Sequence, residues 1–213
     1  MGVTLNVTKC TENYVDQRPD IRACLLQNLL NFSKVARAIQ KEHDIKNFEA
    51  IVIALRRFQE KIQKKEENLQ PTIKQLLKDS TMEIKNKVMV TIVPKSTHPD
   101  TLEGLEKTIR KDQGVYHLIQ GTTTLTIVTQ EVYKEKIKKL FENKIISMEH
   151  DLVDVTLKSD ESVETAVGFL AYLTTLMAHI DINIIEILSA WTDTVIIIHK
   201  DDLSKMMELT KLW

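Results

Sequence analysis

The sequence has few of the residue types that build disulfide-stapled, metal-bound or phosphate-cradling folds. Its 213 residues include only two cysteines, five glycines and four prolines. The two cysteines, Cys10 and Cys24, exclude a disulfide-rich or multi-cysteine zinc protein and favour a reducing compartment. So few glycines leave little room for a glycine-rich phosphate loop. Because neither a G-x-S-x-G nor an S-x-x-K motif occurs, we expect no catalysis and no cofactor.

Long apolar runs are missing too. No uncharged apolar stretch approaches the ~18–20 residues that a membrane span needs. The first ten residues lack the basic-then-apolar pattern of a signal peptide. We therefore expect a cytoplasmic protein with no membrane partner. The hydrophobic fraction of 43% and the charged fraction of 28% are those of a folded chain.

Charge is balanced overall but unevenly distributed. The chain has 29 basic and 30 acidic residues, a net charge of −1. Residues 1–79 hold 14 basic and 10 acidic residues, and within them 31–65 hold nine basic and four acidic residues. The remaining residues are net acidic. Two parts of opposite sign suggest two units with different partners.

Residues 1–80 read as an all-α, helix-turn-helix-like domain. The spacing of apolar residues predicts helices at 7–15, 21–28, 32–42 and 47–65, with a further helix at 72–77 opened by Pro71. The segment 30–39 resembles a helix of small prokaryotic winged-helix-like domains. Because a helix fits the DNA major groove, we interpret the basic residues as candidates for binding double-stranded DNA. These candidates are Lys34, Arg37, Arg56, Arg57 and Lys61. The alternative is a helical bundle whose basic residues are solvated or dock a partner protein.

The rest of the chain shows an internal repeat. Residues 85–150 and 151–213 each predict the order strand, helix, strand, strand, helix, with an offset of roughly 65–70 residues. Adding a closing strand gives βαββαβ, the ferredoxin-like pattern of an antiparallel sheet with its helices on one face. The sequence therefore predicts an α+β protein. It leaves open whether 145–150 completes the first copy or extends into 152–158, and which strand completes the second copy.

The second copy resembles the ACT domain, a small-molecule regulatory module that often senses amino acids. Residues 167–173, 182–189 and 193–197 carry the resemblance, with Gly168, Asn183 and Ile184 matching the family pattern. The pair of copies is similar to the tandem ACT domains of aspartate kinases, and the whole chain resembles archaeal proteins that join a helix-turn-helix to ACT-like domains. The resemblance implies an amino-acid effector, a homodimer and a set of ligand-binding residues. These residues are Val167, Gly168, Phe169, Leu170, Asn183 and Ile184.

Two functional hypotheses follow. The first is a small-molecule responsive regulatory protein whose helical domain binds DNA. The second is a non-catalytic regulatory or dimerisation subunit that acts on a partner protein. The histidines form no H-x-H or H-E-x-x-H pair, so we expect no metal site. Trp191 and Trp213 are candidates for exposed contact points.

Overall fold

The computed structural model describes residues 6–96 and 99–212, except the side chains at 65–72, 99–101 and 212. The chain divides into two compact units, Met1–Pro71 and Thr72–Trp213. The first unit is helical and the second contains both helices and strands, which confirms the predicted α+β class. None of the described helices combines the length and the apolar character needed to cross a bilayer.

Four helices supply the first unit: α1 (Val7–Asp16), α2 (Pro19–Leu26), α3 (Phe32–His43) and the first part of α4 (Phe48–Asp79). Asparagine side chains cap three of them. Asn6 accepts a hydrogen bond from the Lys9 N–H, Asn31 from the Lys34 N–H and Asn47 from the Ala50 N–H. The apolar stripes of the helices meet in one core. Its buried members are Tyr14, Val15, Leu25, Ala36, Ile39, Ile45, Ile51, Leu55, Phe58 and Ile62.

Helix α4 corrects the prediction of a separate helix at 72–77. The structure has one continuous helix over Phe48–Asp79, with Pro71 inside it. A proline inside a helix lacks a backbone donor, and its ring crowds the carbonyl four residues earlier, so a helix normally kinks or ends there. This helix is held on both sides of Pro71, since Ile62 is buried in the first unit and Ile73 and Leu77 are buried in the second. The predicted start signal at Pro71 was therefore overridden by packing.

The second unit repeats one order of elements. Each half runs strand, helix, strand, strand, helix, and matching elements begin 66 to 70 residues apart. The first half holds β1 (Thr81–Pro94), α5 (Pro99–Lys111), β2 (Tyr116–Gln120), β3 (Thr124–Gln130) and α6 (Lys134–Phe141). The second half holds β4 (Ser147–Lys158), α7 (Phe169–His179), β5 (Ile184–Ala190), β6 (Asp193–His199) and α8 (Leu203–Leu209).

A single antiparallel sheet joins the two halves in the order β2-β3-β1-β4-β6-β5. The long strands β1 and β4 pair with each other at the centre. Ser147 to Glu149 of β4 lie beside β1 as a fourth strand for the first half, and Leu152 to Lys158 begin the second half. In return, Thr81 to Lys85 of β1 lie beside β4 as the fourth strand of the second half. The question that the sequence left open at 145–150 is thus answered: β4 serves both halves.

The two faces of the sheet have different coverings. Helices α5 and α6 pack on the first half through a core that includes Met89, Leu105, Ile127 and Ile137. Helices α7 and α8, with the end of α4, pack on the second half around residues such as Val155. The helix-free faces of the two halves meet in one further apolar cluster, whose buried members are Val88, Val90, Val115, Val128, Leu152, Val195 and Ile197. Each half thereby covers the apolar face that the other leaves open.

Candidate functional site

A cavity of about 350 Å³ lies at the start of helix α7. It is formed where the segment before α7, the first turn of α7 and the β5–β6 turn come together. Nine residues line it: Val163, Glu164, Ala166, Gly168, Phe169, Leu170, Ala171, Ser189 and Trp191. Its volume falls at the small end of the range of ligand sites, about 300–1,000 Å³.

Local sequence signals form the approach to the cavity. A short 3₁₀-helix, Glu161–Thr165, begins at Asp160, whose carboxylate accepts hydrogen bonds from the Ser162 N–H at 3.0 Å and the Ser162 hydroxyl at 2.7 Å. These hydrogen bonds from Ser162 lower the pKa of Asp160. The chain then reaches Gly168, which adopts a left-handed conformation with φ of 92°. A side chain at Gly168 would have space, because the nearest atom is Ile73 Cδ1 at 3.8 Å, so the φ angle is what favours glycine here.

The first turn of α7, which lines part of the cavity, contains backbone donors without helical acceptors. The first α-helical hydrogen bond runs from the Tyr172 N–H to the Gly168 carbonyl at 2.8 Å. The N–H groups of Leu170 and Ala171 come before this bond and have no acceptor four residues back in the helix. The residue at the N-cap is glycine, so no side chain caps the helix. An anion placed there would gain these donors and the positive end of the helix dipole.

Two side chains give the cavity its remaining character. Among the described residues that line the cavity, Glu164 alone is charged. Trp191 is 64% exposed and holds a φ of 52°, which is uncommon for a bulky residue. The turn between β5 and β6 consists of Trp191 and Thr192, one residue earlier than predicted, since Asp193 already belongs to β6. Trp213, the other predicted contact residue, lies outside the described residues.

The structure brings together only part of the predicted ligand-binding set. Gly168, Phe169 and Leu170 line the cavity. Val167 is 70% exposed beside it. Asn183 and Ile184 lie beyond the other end of α7, which at 11 residues is about 16 Å long. Asn183 is exposed there, and Ile184 packs against the helix-covered core. Within one chain, therefore, Gly168 and Asn183 do not form one site.

Sequence reasoning missed Glu164, Ser189 and Ala171. Ser189 and Glu164 are 25 residues apart in the sequence, and only the return of β5 along α7 brings them to one cavity. Ala171 was within the quoted motif 167–173, but nothing in its identity marked it as a lining residue. Trp191 was predicted to be an exposed contact residue, but the sequence did not show that it lines this cavity.

A buried acid–imidazole pair crosses the helix-free side of the sheet. Asp154 on β4 is 1% exposed, and its carboxylate accepts a hydrogen bond from the Thr156 hydroxyl at 2.7 Å. Its other oxygen lies 3.0 Å from Nε2 of His117 on β2. The sheet order separates these strands by two others, so the pair ties an edge strand of the first half to the central strand β4. Among the described residues, no cluster of three or more His, Cys, Asp or Glu could hold a metal ion.

The predicted DNA-binding residues divide between two helices of the first unit. Lys34 and Arg37 are exposed on α3. Arg56, Arg57 and Lys61 are exposed on α4. Lys61 forms an ion pair with Glu12 of α1, with an N–O distance of 3.0 Å.

Comparisons with known proteins give structural similarity alone. The sequence matches no protein-family model and no curated protein. Aspartate kinase from Clostridium acetobutylicum aligns with a TM-score of 0.49 at 14% identity, over 61% of this chain and 33% of the kinase, so this chain spans about a third of that enzyme. The ligand-free regulatory subunit of aspartate kinase from Thermus thermophilus aligns with a TM-score of 0.49 at 11% identity, over 63% of this chain and 95% of the subunit. E. coli aspartokinase III in complex with lysine and aspartate aligns with a TM-score of 0.45 at 11% identity, over 62% of this chain and 32% of the enzyme. Similarity of this size identifies neither a ligand nor an activity for this chain.

Proposed function

We propose that this chain is a ligand-responsive regulatory protein that binds a free amino acid in the cavity at the start of α7. The observation that carries the proposal is the cavity itself, of about 350 Å³, which is lined by the first turn of a helix that no side chain caps. A pocket of that size suits a small ligand. An uncapped helix start suits a carboxylate, because the free N–H groups and the helix dipole both favour negative charge.

The lining residues give the ligand an orientation. Its carboxylate accepts hydrogen bonds from the N–H groups of Leu170 and Ala171. Its ammonium group faces Glu164, the charged residue of the lining. The side chain of the ligand lies against the indole of Trp191. In this arrangement the carboxylate of the amino acid meets hydrogen-bond donors and its ammonium group meets a carboxylate. A simple carboxylic acid or a simple amine would make only one of these two interactions.

Asn183 and Ile184 enter this proposal through a homodimer. Because they lie at the opposite end of α7 from Gly168, two copies that pack α7 against α7 in antiparallel fashion bring Gly168 of one next to Asn183 of the other. The outer face of α7 is suited to this packing. The helix carries no Asp, Glu, Lys or Arg, and its exposed residues beyond the cavity include Thr175 and Ala178. A helix with an uncharged outer face is typical of one that is buried in an assembly.

The ligand proposal is tested by thermal unfolding of the full chain with each of the twenty amino acids. A ligand at a hundred times its Kd stabilises the folded state by about 2.7 kcal/mol. For a unit of this size, that is a rise in Tm of about 5–10 °C. We expect such a rise with at least one amino acid. A flat Tm for all twenty would contradict amino-acid binding.

A matched pair of variants tests the position of the carboxylate. Ala171 is the third residue of α7, where a glutamate side chain is favoured and can reach back to the first donors of the helix. Ala171→Glu should therefore keep the fold and remove the Tm rise, because its carboxylate occupies the ligand's place. Ala171→Gln has the same length and no charge, and should retain part of the response. Equal Tm rises in wild type and Ala171→Glu would place the ligand elsewhere.

The dimer is tested separately by analytical ultracentrifugation. Thr175→Glu places a charge in the middle of the uncharged face of α7 and should shift the chain to monomer. Thr122→Glu places the same charge in the exposed turn between β2 and β3 and serves as the control. A dimer that persists without any amino-acid response would instead favour the second candidate function, a dimerisation subunit, which the same uncharged face supports.

A further inference from the structure

Helix α3 presents a stripe of three basic residues to solvent. Lys34, Arg37 and Lys41 follow one another at spacings of three and four, so they lie on one face of the helix. All three are exposed. The stripe extends over seven residues, which is about 10 Å along the helix. The exposed Ala38 lies between the cations and leaves the middle of the stripe flat.

The cations of this stripe keep their charge unneutralised. Among the residues that the structure describes, none forms an ion pair with Lys34, Arg37 or Lys41. The one acidic residue of α3, Glu42, is held by the Arg18 guanidinium, whose Nη2 lies 2.9 Å from both carboxylate oxygens. A surface that keeps three such cations on one helix face has an electrostatic preference for a polyanion.

The outer face of α4 differs from that of α3. Its exposed residues Glu49 and Glu60 lie seven residues before and four after Arg56, on the same side of the helix. Lys61, on the flank of that face, is paired with Glu12. The cations of α4 are thus interleaved with carboxylates or bound to them. The basic potential of the first unit is concentrated on α3.

We propose that the exposed face of α3, centred on Lys34, Arg37 and Lys41, is a docking surface for double-stranded DNA. A helix with its side chains is about 10–12 Å across, and the major groove is about 12 Å wide and admits one helix. The small Ala38 permits close approach to base edges, while the three cations flank it to meet phosphates. This inference concerns the first unit and does not depend on the amino-acid cavity.

The chemistry of the face favours DNA over other anionic partners. The apolar side of α3, with Ala36 and Ile39, is buried in the unit core, so the helix has no apolar face to insert into a membrane. The stripe has no large apolar residue to form the centre of a protein interface. The deep, narrow major groove of RNA duplexes does not admit side chains as the DNA groove does.

The test compares two triple variants of the full chain that remove equal charge. Lys34→Gln, Arg37→Gln and Lys41→Gln together remove the three positive charges of the α3 stripe. The control set, Lys9→Gln, Arg56→Gln and Arg57→Gln, removes three exposed cations from α1 and α4. Binding is measured by fluorescence anisotropy with a labelled duplex of about twenty base pairs, two helical turns, over a salt series. Circular dichroism confirms that both variants keep their helices.

We expect the α3 variant to raise Kd by about tenfold or more at low salt. It should also reduce the slope of log K against log salt by about three, one unit for each phosphate that the protein no longer neutralises. The control set should change Kd by less than about threefold. Equal weakening in the two variants, or a larger effect in the control set, would overturn the assignment to α3.

Two other outcomes would overturn DNA binding itself. One is failure of the wild-type chain to bind the duplex at low salt, where the attraction between cations and phosphates is strongest. The other is displacement of the duplex by polyglutamate at equal charge concentration, which would point to an acidic protein as the partner.

Discussion

The buried pair of Asp154 and His117 gives a quantitative prediction about how the two halves of the second unit are held together. Corresponding positions of the halves pair in the same way, since Val90 lies opposite Val128 and Asp154 lies opposite Ile197. Asp154 thus occupies the place that a valine holds in the first half. The side chain of Asp154 is 2% exposed and that of His117 is 29% exposed. We predict that His117→Leu strongly lowers the free energy of unfolding when it is introduced into the wild-type chain. When it is introduced into a chain that already carries Asp154→Val, the same substitution should lower it only slightly.

The magnitude follows from the partners of the carboxylate. Removing one partner of a buried hydrogen bond costs about 1–3 kcal/mol, and more when the group left behind is charged, because that group stays buried without compensation. Two features reduce the cost of leaving the Asp154 carboxylate without His117. The Thr156 hydroxyl still donates a hydrogen bond to it at 2.7 Å, and the position of His117 is partly open to solvent. We therefore expect a destabilisation of about 2–3 kcal/mol for His117→Leu alone. In the Asp154→Val background the carboxylate is absent, and the same substitution should cost less than about 0.5–1 kcal/mol.

Tryptophan fluorescence during urea unfolding measures these values in the right part of the chain. Both tryptophans of the sequence, Trp191 and Trp213, belong to the second unit, so their emission reports on that unit. The double-mutant cycle should give a coupling energy of about 1 kcal/mol or more. A coupling energy below about 0.5 kcal/mol would refute the reasoning, because it would mean that Asp154 is satisfied without His117.

Three further predictions concern the stability of the second unit and its response to ligand. Gly168→Ala should destabilise the second unit by about 1–2 kcal/mol, because an alanine is strained at a φ of 92°. Steric contact adds nothing to this cost, since the nearest atom to the new Cβ lies 3.8 Å away. A destabilisation below a few tenths of a kcal/mol would contradict the prediction. Trp191→Gly should change the free energy of unfolding by less than about 1 kcal/mol, because relief of the strained φ of 52° offsets the entropy that glycine loses on folding. The same variant should lose the Tm rise with amino acids. An undiminished Tm rise would show that Trp191 is not part of the site. Burial raises the pKa of Glu186, so its ionised form is disfavoured in the folded state, and Glu186→Gln should stabilise the chain at pH 7. That gain should vanish below the ordinary glutamate pKa of 4.5, where the carboxyl is neutral in both states, and a gain that is independent of pH would exclude this cause.

Much of the second unit was accessible from the sequence because its patterns are local. The alternation of Val153, Val155 and Leu157 predicted a strand with one buried face, and all three are buried on the side covered by helices. The order of elements and their offset were also predicted. The continuity of β4 was not, because Asp151 interrupts it with a φ of 62° and shifts the alternation of the residues before it. Only pairing with β1 shows that 147–149 belong to the same strand.

The candidate site was predictable in part for the same reason. Gly168, Phe169 and Leu170 form one contiguous motif at the start of a helix, and they line the cavity together. Glu164 and Ser189 join them through tertiary structure, which composition and periodicity do not encode. The placement of Asn183 beside Gly168 rested on resemblance, and the length of α7 keeps the two apart within one chain.

The most direct measurement of amino-acid binding uses Trp191 itself as the reporter. Trp213→Phe leaves Trp191 as the single tryptophan, on the wall of the cavity. Titration of this variant with each amino acid should give, for at least one of them, a saturable blue shift of the emission as the ligand covers the indole. The same titration of the Ala171→Glu derivative should give none. Unchanged emission with all twenty amino acids would contradict the assignment of this cavity as their binding site.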